Sequence, residues 1–93
     1  MKIGLCVIDL YLPGNNSLKD KRQILKSIKD RIRNKFNVSI AEIEDNDKWR
    51  KTTLGVVTIN NDSTQVSNIL QSVINFIEGF YPAQIINYQI ELF

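Results

Sequence analysis

The sequence predicts an α+β domain of element order βαββαβ: a four-stranded antiparallel sheet with two helices on one face. Three observations carry that expectation. Residues 17–35 and 63–78 repeat apolar side chains at helical spacing. Residues 2–12, 38–44, 51–60 and 83–93 carry the β-branched and alternating patterns of strands. Breaker residues separate these stretches, most densely at Pro13-Gly14-Asn15-Asn16. Two right-handed crossovers then put both helices on the same side, the ferredoxin-like arrangement. A length of 93 residues suits one domain over 1–93, with no internal linker or low-complexity segment.

Each element has a local reason. In the first strand, Gly4, Cys6, Ile8, Leu10 and Leu12 share one phase, and Ile3, Leu5, Val7, Asp9 and Tyr11 share the other. Apolar residues in both phases predict a central strand, at least partly covered on each side. Ser17 is the expected N-cap of the first helix, with Asp20 placed to favour its positive end. Leu18, Ile24, Leu25, Ile28, Ile32 and Phe36 line one side of that helix, and Asn37 is its expected stop. In 38–44, Val38 and Ile40 oppose Ala41 and Ile43 in phase, which predicts burial on both faces or a bulge near Ala41. A turn at 45–48 then leads into 51–60 as an antiparallel hairpin, with Trp49 near its tip. Asp62 with Gln65 three residues on forms a capping-box signature. Val66, Ile69, Leu70, Val73, Ile74 and Ile77 face the core, and Gly79 and Pro82 end the helix. Ile86, Tyr88, Ile90 and Leu92 alternate with Asn87, Gln89 and Glu91, the pattern of a half-exposed edge strand.

Composition excludes several function classes. Hydrophobic residues are 43% and charged residues 24%, which rules out disorder and collagen-like repeats. The chain has no His, so imidazole serves neither as base nor as ligand. One cysteine, Cys6, forms no intrachain disulfide, and its apolar neighbours mark it as a buried inert thiol. The apolar run Ile3 to Leu12 is too short to cross a bilayer and carries Asp9, and it begins too close to Met1 to follow a signal-peptide basic region. A cytoplasmic protein with no membrane association is expected.

Charge is distributed unevenly. The formal net charge is only +2, yet 17–36 holds eight cations against Asp20 and Asp30, while the remaining chain holds four cations and eight acids. Lys19, Arg22, Lys26, Lys29 and Arg33 step by three and four residues, so they form a stripe along one flank of the helix. At 1.5 Å per residue that stripe is roughly 21 Å long, enough to meet several phosphates of one nucleic-acid strand. The competing reading is a solvated flank whose long stems cover the core edge. Lys21 lies toward the apolar side of the wheel, in the first turn, where Lys19, Arg22 and the free backbone N–H groups make a candidate anion site and Asp20 competes for those groups.

Other features carry less. Trp49, with Lys48, Arg50 and Lys51 beside it, suits stacking on a base or, in preference, packing or a dimer contact. Glu42 and Glu44 are expected on one strand face, but they lack the ordered ligands and tight-turn glycine of a Ca²⁺ loop, so no metal is expected. No cofactor fingerprint, Gly-rich phosphate loop or activated nucleophile occurs, and Leu12-Pro13-Gly14-Asn15-Asn16-Ser17 does not match an acylphosphatase phosphate loop. The expectation is a protein that is not an enzyme.

Ser17-Leu18-Lys19-Asp20-Lys21-Arg22, Phe36-Asn37-Val38-Ser39-Ile40-Ala41-Glu42-Ile43, Asp47-x-Trp49 and Leu54-Gly55 together resemble the YlxP-like family of small bacterial proteins, a domain of unknown function. The resemblance spans essentially the whole chain with order and spacing intact. It implies a ferredoxin-like fold, and, from the family's setting among genes for translation and transcription-elongation factors, a role beside RNA or the ribosome. It transfers no catalytic residues. Lys19, Lys21, Arg22, Asp47 and Trp49 occupy motif positions, whereas Asn46 and Arg50 stand where the family commonly has Gln.

The functional expectation is an RNA- or ribosome-associated accessory protein that binds through its basic first helix: Lys19, Lys21, Arg22, Lys26, Lys29 and Arg33, joined by Arg50. The alternative is a homodimeric interaction module whose open sheet face presents Ile3, Leu5, Val7 and Tyr11, with Trp49 beside it. A small-molecule-binding domain on the same fold is the third reading.

Overall fold

The computed structural model describes residues 1–93. Its elements are β1 (Lys2–Tyr11), α1 (Leu18–Lys35), β2 (Ser39–Glu44), β3 (Lys51–Asn60), α2 (Ser63–Glu78) and β4 (Gln84–Leu92). The sheet order is β2-β3-β1-β4, and every neighbouring pair is antiparallel. This is the ferredoxin-like α+β arrangement expected from the order of elements.

Caps fix both helices. Ser17 Oγ accepts from the backbone N–H of Asp20 at 3.1 Å, as its sequence position predicts. Phe36, one residue before the expected stop, is the C-cap of α1. Asp62 Oδ1 accepts from Thr64 N–H at 2.9 Å, but the reciprocal half of a capping box does not form with Gln65, because Asp62 N–H donates to Asn60 Oδ1 instead.

The core lies between the sheet and the helices. Cys6, Ile8, Leu10 and Leu12 of the first strand's inward phase are fully buried, with Leu54 and Val56 of β3, Leu25, Ile28 and Ile32 of α1, and Val66, Leu70, Val73, Ile74 and Ile77 of α2. Gly4 is the point of closest approach: a Cβ there would collide with Val66 Cγ1 and lie 2.8 Å from Leu70 Cδ1. The absent side chain lets α2 settle on β1. Gly14, at φ 84°, makes the left-handed turn between β1 and α1.

The outward phase of β1 is less covered than its composition suggests. Ile3, Leu5 and Val7 are half-buried and Tyr11 is exposed, because only neighbouring strands shield them. Val57 and Ile59 of β3 and Ile43 of β2 are exposed, and Ile43 packs over Gly55, where a Cβ would lie 3.2 Å from its Cγ2. Two bulges alter strand phase. The β2–β3 register shifts between Glu42 and Glu44, later than the expected position near Ala41, and the β1–β4 register shifts between Asp9 and Leu10. The second bulge takes Ile86 out of the alternation with Tyr88, Ile90 and Leu92, so it lies beside Asp9 and Thr53.

Candidate nucleic-acid interface on the first helix

Folding sorts the cations of α1 by what they touch. Arg31 sits over the Phe80 ring at 5.3 Å, and Lys35 lies 5.8 Å from the Phe36 ring and 5.5 Å from the Phe76 ring. The contacts to Phe76 and Phe80 tie the C-terminal end of α1 to α2 and the turn after it, whereas Phe36 is the cap of α1 itself. Arg33 Nη2 donates to the carbonyl of Ile40 at 2.8 Å, and its Nη1 lies 3.8 Å from Asp30. Lys19, Arg22 and Lys29 form no ion pair, and Lys26 pairs only with Asp30, at 2.7 Å. The Lys26 hydrogen bond, assisted by the charges of Lys26, Arg33 and Lys29, holds the Asp30 carboxyl below its usual range. One acid therefore sits in the positive field of a whole helix flank.

Lys21 leaves the stripe. Its side chain is 1% exposed, and its Nζ lies 2.9 Å from Glu42 Oε2. The same Nζ donates to the carbonyl of Asp45, and Glu42 in turn accepts from Thr52 Oγ1. The expected phosphate contact at Lys21 is thus corrected: the amine has no access to a ligand. The first-turn anion site loses its middle cation for the same reason, and Asp20 Oδ2 already accepts from the Asn16 N–H at 3.3 Å.

Arg50 is likewise committed within the chain. Its Nε donates to the Asn15 carbonyl at 2.8 Å and its Nη2 to Asn16 Oδ1 at 3.4 Å. The buried Asn15 returns a bond from Nδ2 to the Trp49 carbonyl at 3.3 Å. Together these bonds stitch the β1–α1 loop to the β2–β3 loop. The guanidinium at position 50 serves that seam, while the residue stays exposed and pairs with no carboxylate. Trp49 is 52% exposed, so its indole does not close over the core.

The acidic residues regroup as well. The β2 bulge separates Glu42 from Glu44, so the two do not share a face as expected. Glu44 and Asp45 instead meet Asp9, Lys51, Thr52, Thr53 and Ile86 around a shallow cavity of about 230 Å³ on the open sheet side. Asp9 is satisfied there by Thr53 Oγ1 at 2.8 Å. Cys6 is fully buried mid-strand, and burial pushes its thiol up to about 11, the inert state expected.

Thr52, Asp45 and Asn15 escaped the sequence reading. The available signal was a polar residue in a buried phase: Thr52 shares its strand face with Leu54 and Val56.

Comparison with known proteins gives context. The family described as a protein of unknown function (DUF503) matches residues 3–90. The uncharacterized protein YlxP of Bacillus subtilis (strain 168) is 40% identical over 78 residues, covering 84% of this chain and 85% of that one. Among solved structures, the apo form of LarC2, the C-terminal domain of a cyclometallase involved in synthesis of the NPN cofactor of lactate racemase, is 14% identical with a TM-score of 0.43. That alignment covers 100% of this chain and 56% of that one. No helix is long and apolar enough to cross a membrane. With the family match running through nearly every element and a relative of this identity over most of both lengths, the chain belongs to the DUF503, or YlxP-like, family.

Proposed function

We propose that this protein is a non-enzymatic accessory factor that associates with RNA, on or off the ribosome, through the exposed flank of α1. The observation that carries the reading is the sorting of cations: Lys19, Arg22 and Lys26 are exposed, Lys29 is half-buried beside them, and of the four only Lys26 is paired, with Asp30. They lie on a rigid helix, so their spacing is set before any partner arrives. Contacts of this kind go to phosphates and are largely blind to base sequence.

Co-sedimentation with ribosomal subunits and with naked RNA tests it. If four cations each displace a counterion from single-stranded RNA, affinity falls about 50-fold between about 50 and 200 mM salt. Lys26→Glu with Lys29→Glu is expected to flatten the salt slope by about half while leaving the fold intact. No sedimentation of the unmodified protein at the lower salt would refute the proposal. Binding to one subunit that persists at the higher salt would mean recognition by more than charge.

A second reading is self-association. It is favoured by the exposure of Val57, Ile59 and Ile43 on the open sheet face and of Tyr88, Ile90 and Leu92 on β4.

A further inference from the structure

Resting on the self-association reading, we propose that the outer edge of β4 pairs with the β4 edge of a second copy, antiparallel, about a two-fold axis through Ile90. The backbone pattern assigns this register. Ile3 N–H donates to the Phe93 carbonyl at 3.3 Å, and Phe93 N–H donates to the Ile3 carbonyl at 2.8 Å. That makes Ile3 and Phe93 a pair exchanging both bonds, so along an antiparallel ladder every second pair does the same. Glu91 bonds to Leu5, Gln89 to Val7 and Asn87 to Asp9 by this rule. Leu92, Ile90 and Tyr88 therefore turn their N–H and carbonyl groups away from β1, toward solvent. The bulge between Asp9 and Leu10 ends this regular run on one side.

Three outward residues, spaced evenly, are symmetric about the middle one. A two-fold axis at Ile90 sets Ile90 against Ile90, and Tyr88 against Leu92 in both directions. All three N–H groups and all three carbonyls in each copy then find partners, with no residue of the other strands required. The side chains of those residues are the exposed apolar ones of β4, at 39%, 37% and 50% for Tyr88, Ile90 and Leu92. On the opposite face the same axis sets Gln89 against Glu91 twice, so each carboxylate meets an amide donor and no like charges face each other.

The strand also lacks what would keep it single. It has nine residues, no Lys and no Pro. No helix or loop bonds to its outer side. The result would be a continuous eight-stranded sheet with four helices on one face, and the α1 flanks at its two far sides.

Mass measurement of the full chain by light scattering tests the proposal at about 100 μM, where a dissociation constant near 10 μM leaves most chains paired. A dimer is expected. Ile90→Pro removes an outward N–H only, leaves the bonds to β1 in place, and is expected to give a monomer. Ile90→Lys provides the same test should the proline variant fold poorly. Val57→Asp, on the open face, is expected to remain dimeric. Hydrogen exchange gives the register: the Tyr88, Ile90 and Leu92 amides slow as concentration rises, while those of Gln89 and Glu91 are slow throughout. A monomeric mass at this concentration overturns both the pairing and the self-association reading. A dimer lost in Val57→Asp but kept in both Ile90 variants overturns only the edge pairing and leaves the sheet face as the contact. A dimer indifferent to all three variants also overturns the edge pairing.

Discussion

The two edges of the sheet are built to opposite rules. β2 is short, six residues, and carries a bulge at Ile43. α1 fastens it twice, through Arg33 on the Ile40 carbonyl and through Lys21 on Glu42. β4 is longer, and neither an ion pair nor a side-chain hydrogen bond reaches it. Its attachment is the ladder to β1 together with apolar contacts such as Ile85 against the core. Edge strands left bare invite pairing, and β2 shows the devices that prevent it. The difference teaches that closure of this sheet was arranged on one side only.

Breaking the β2 side is expected to have the largest effect. Glu42→Ala leaves the buried Lys21 ammonium with only the Asp45 carbonyl, and should cost about 3 kcal/mol in urea unfolding. Combining it with Lys21→Met removes the stranded charge and should recover much of that loss. On the β4 side, Gln89→Pro deletes an inward N–H and orphans the Val7 carbonyl, for a loss of about 2–3 kcal/mol. Ile90→Pro, one residue on, should cost far less, and equal losses would contradict the alternation of inward and outward groups. Arg33→Ala uncovers the Ile40 carbonyl and should cost about 1 kcal/mol, read as a shift in midpoint. The smallest effect is that of Asp30. Its folded carboxyl is held below the usual value, so its contribution is full above the unfolded titration range and is lost as pH falls through the lowered one. The thermal midpoints of the native chain and Asp30→Asn should therefore converge once the pH has fallen through that lowered range, and differ slightly at neutral pH.

The fold was legible because it is written in local periods. Ser17, Asp62 and the two apolar helix faces needed only a few residues of context, and the six elements came out within two residues of their observed limits. Of the candidate site, the placement of Lys19, Arg22 and Lys26 was legible, for they are exposed as helix geometry assigns, with Lys29 half-buried beside them. Lys21 was visible as an oddity on the apolar side, but its partner Glu42 is twenty-one residues away and joins it only when β2 docks. Arg50 is further still from Asn15, and no period connects them. Ile86 shows a different limit: one extra residue in a strand inverts the phase of everything beyond it, and the alternation alone does not reveal the insertion. The exposure of Val57 and Ile59 depends on nothing covering the second face, which sequence patterning does not report.

Cys6 has a practical consequence for anyone attaching a reporter to this protein. With the thiol raised to about 11 and no accessible surface, about one molecule in a thousand carries the reactive thiolate near pH 8. The native chain therefore behaves toward maleimides as though it had no cysteine. A single cysteine introduced on the outer flank of α1 or beside Trp49 would take a fluorophore or spin label at one defined place, with the wild-type core left intact.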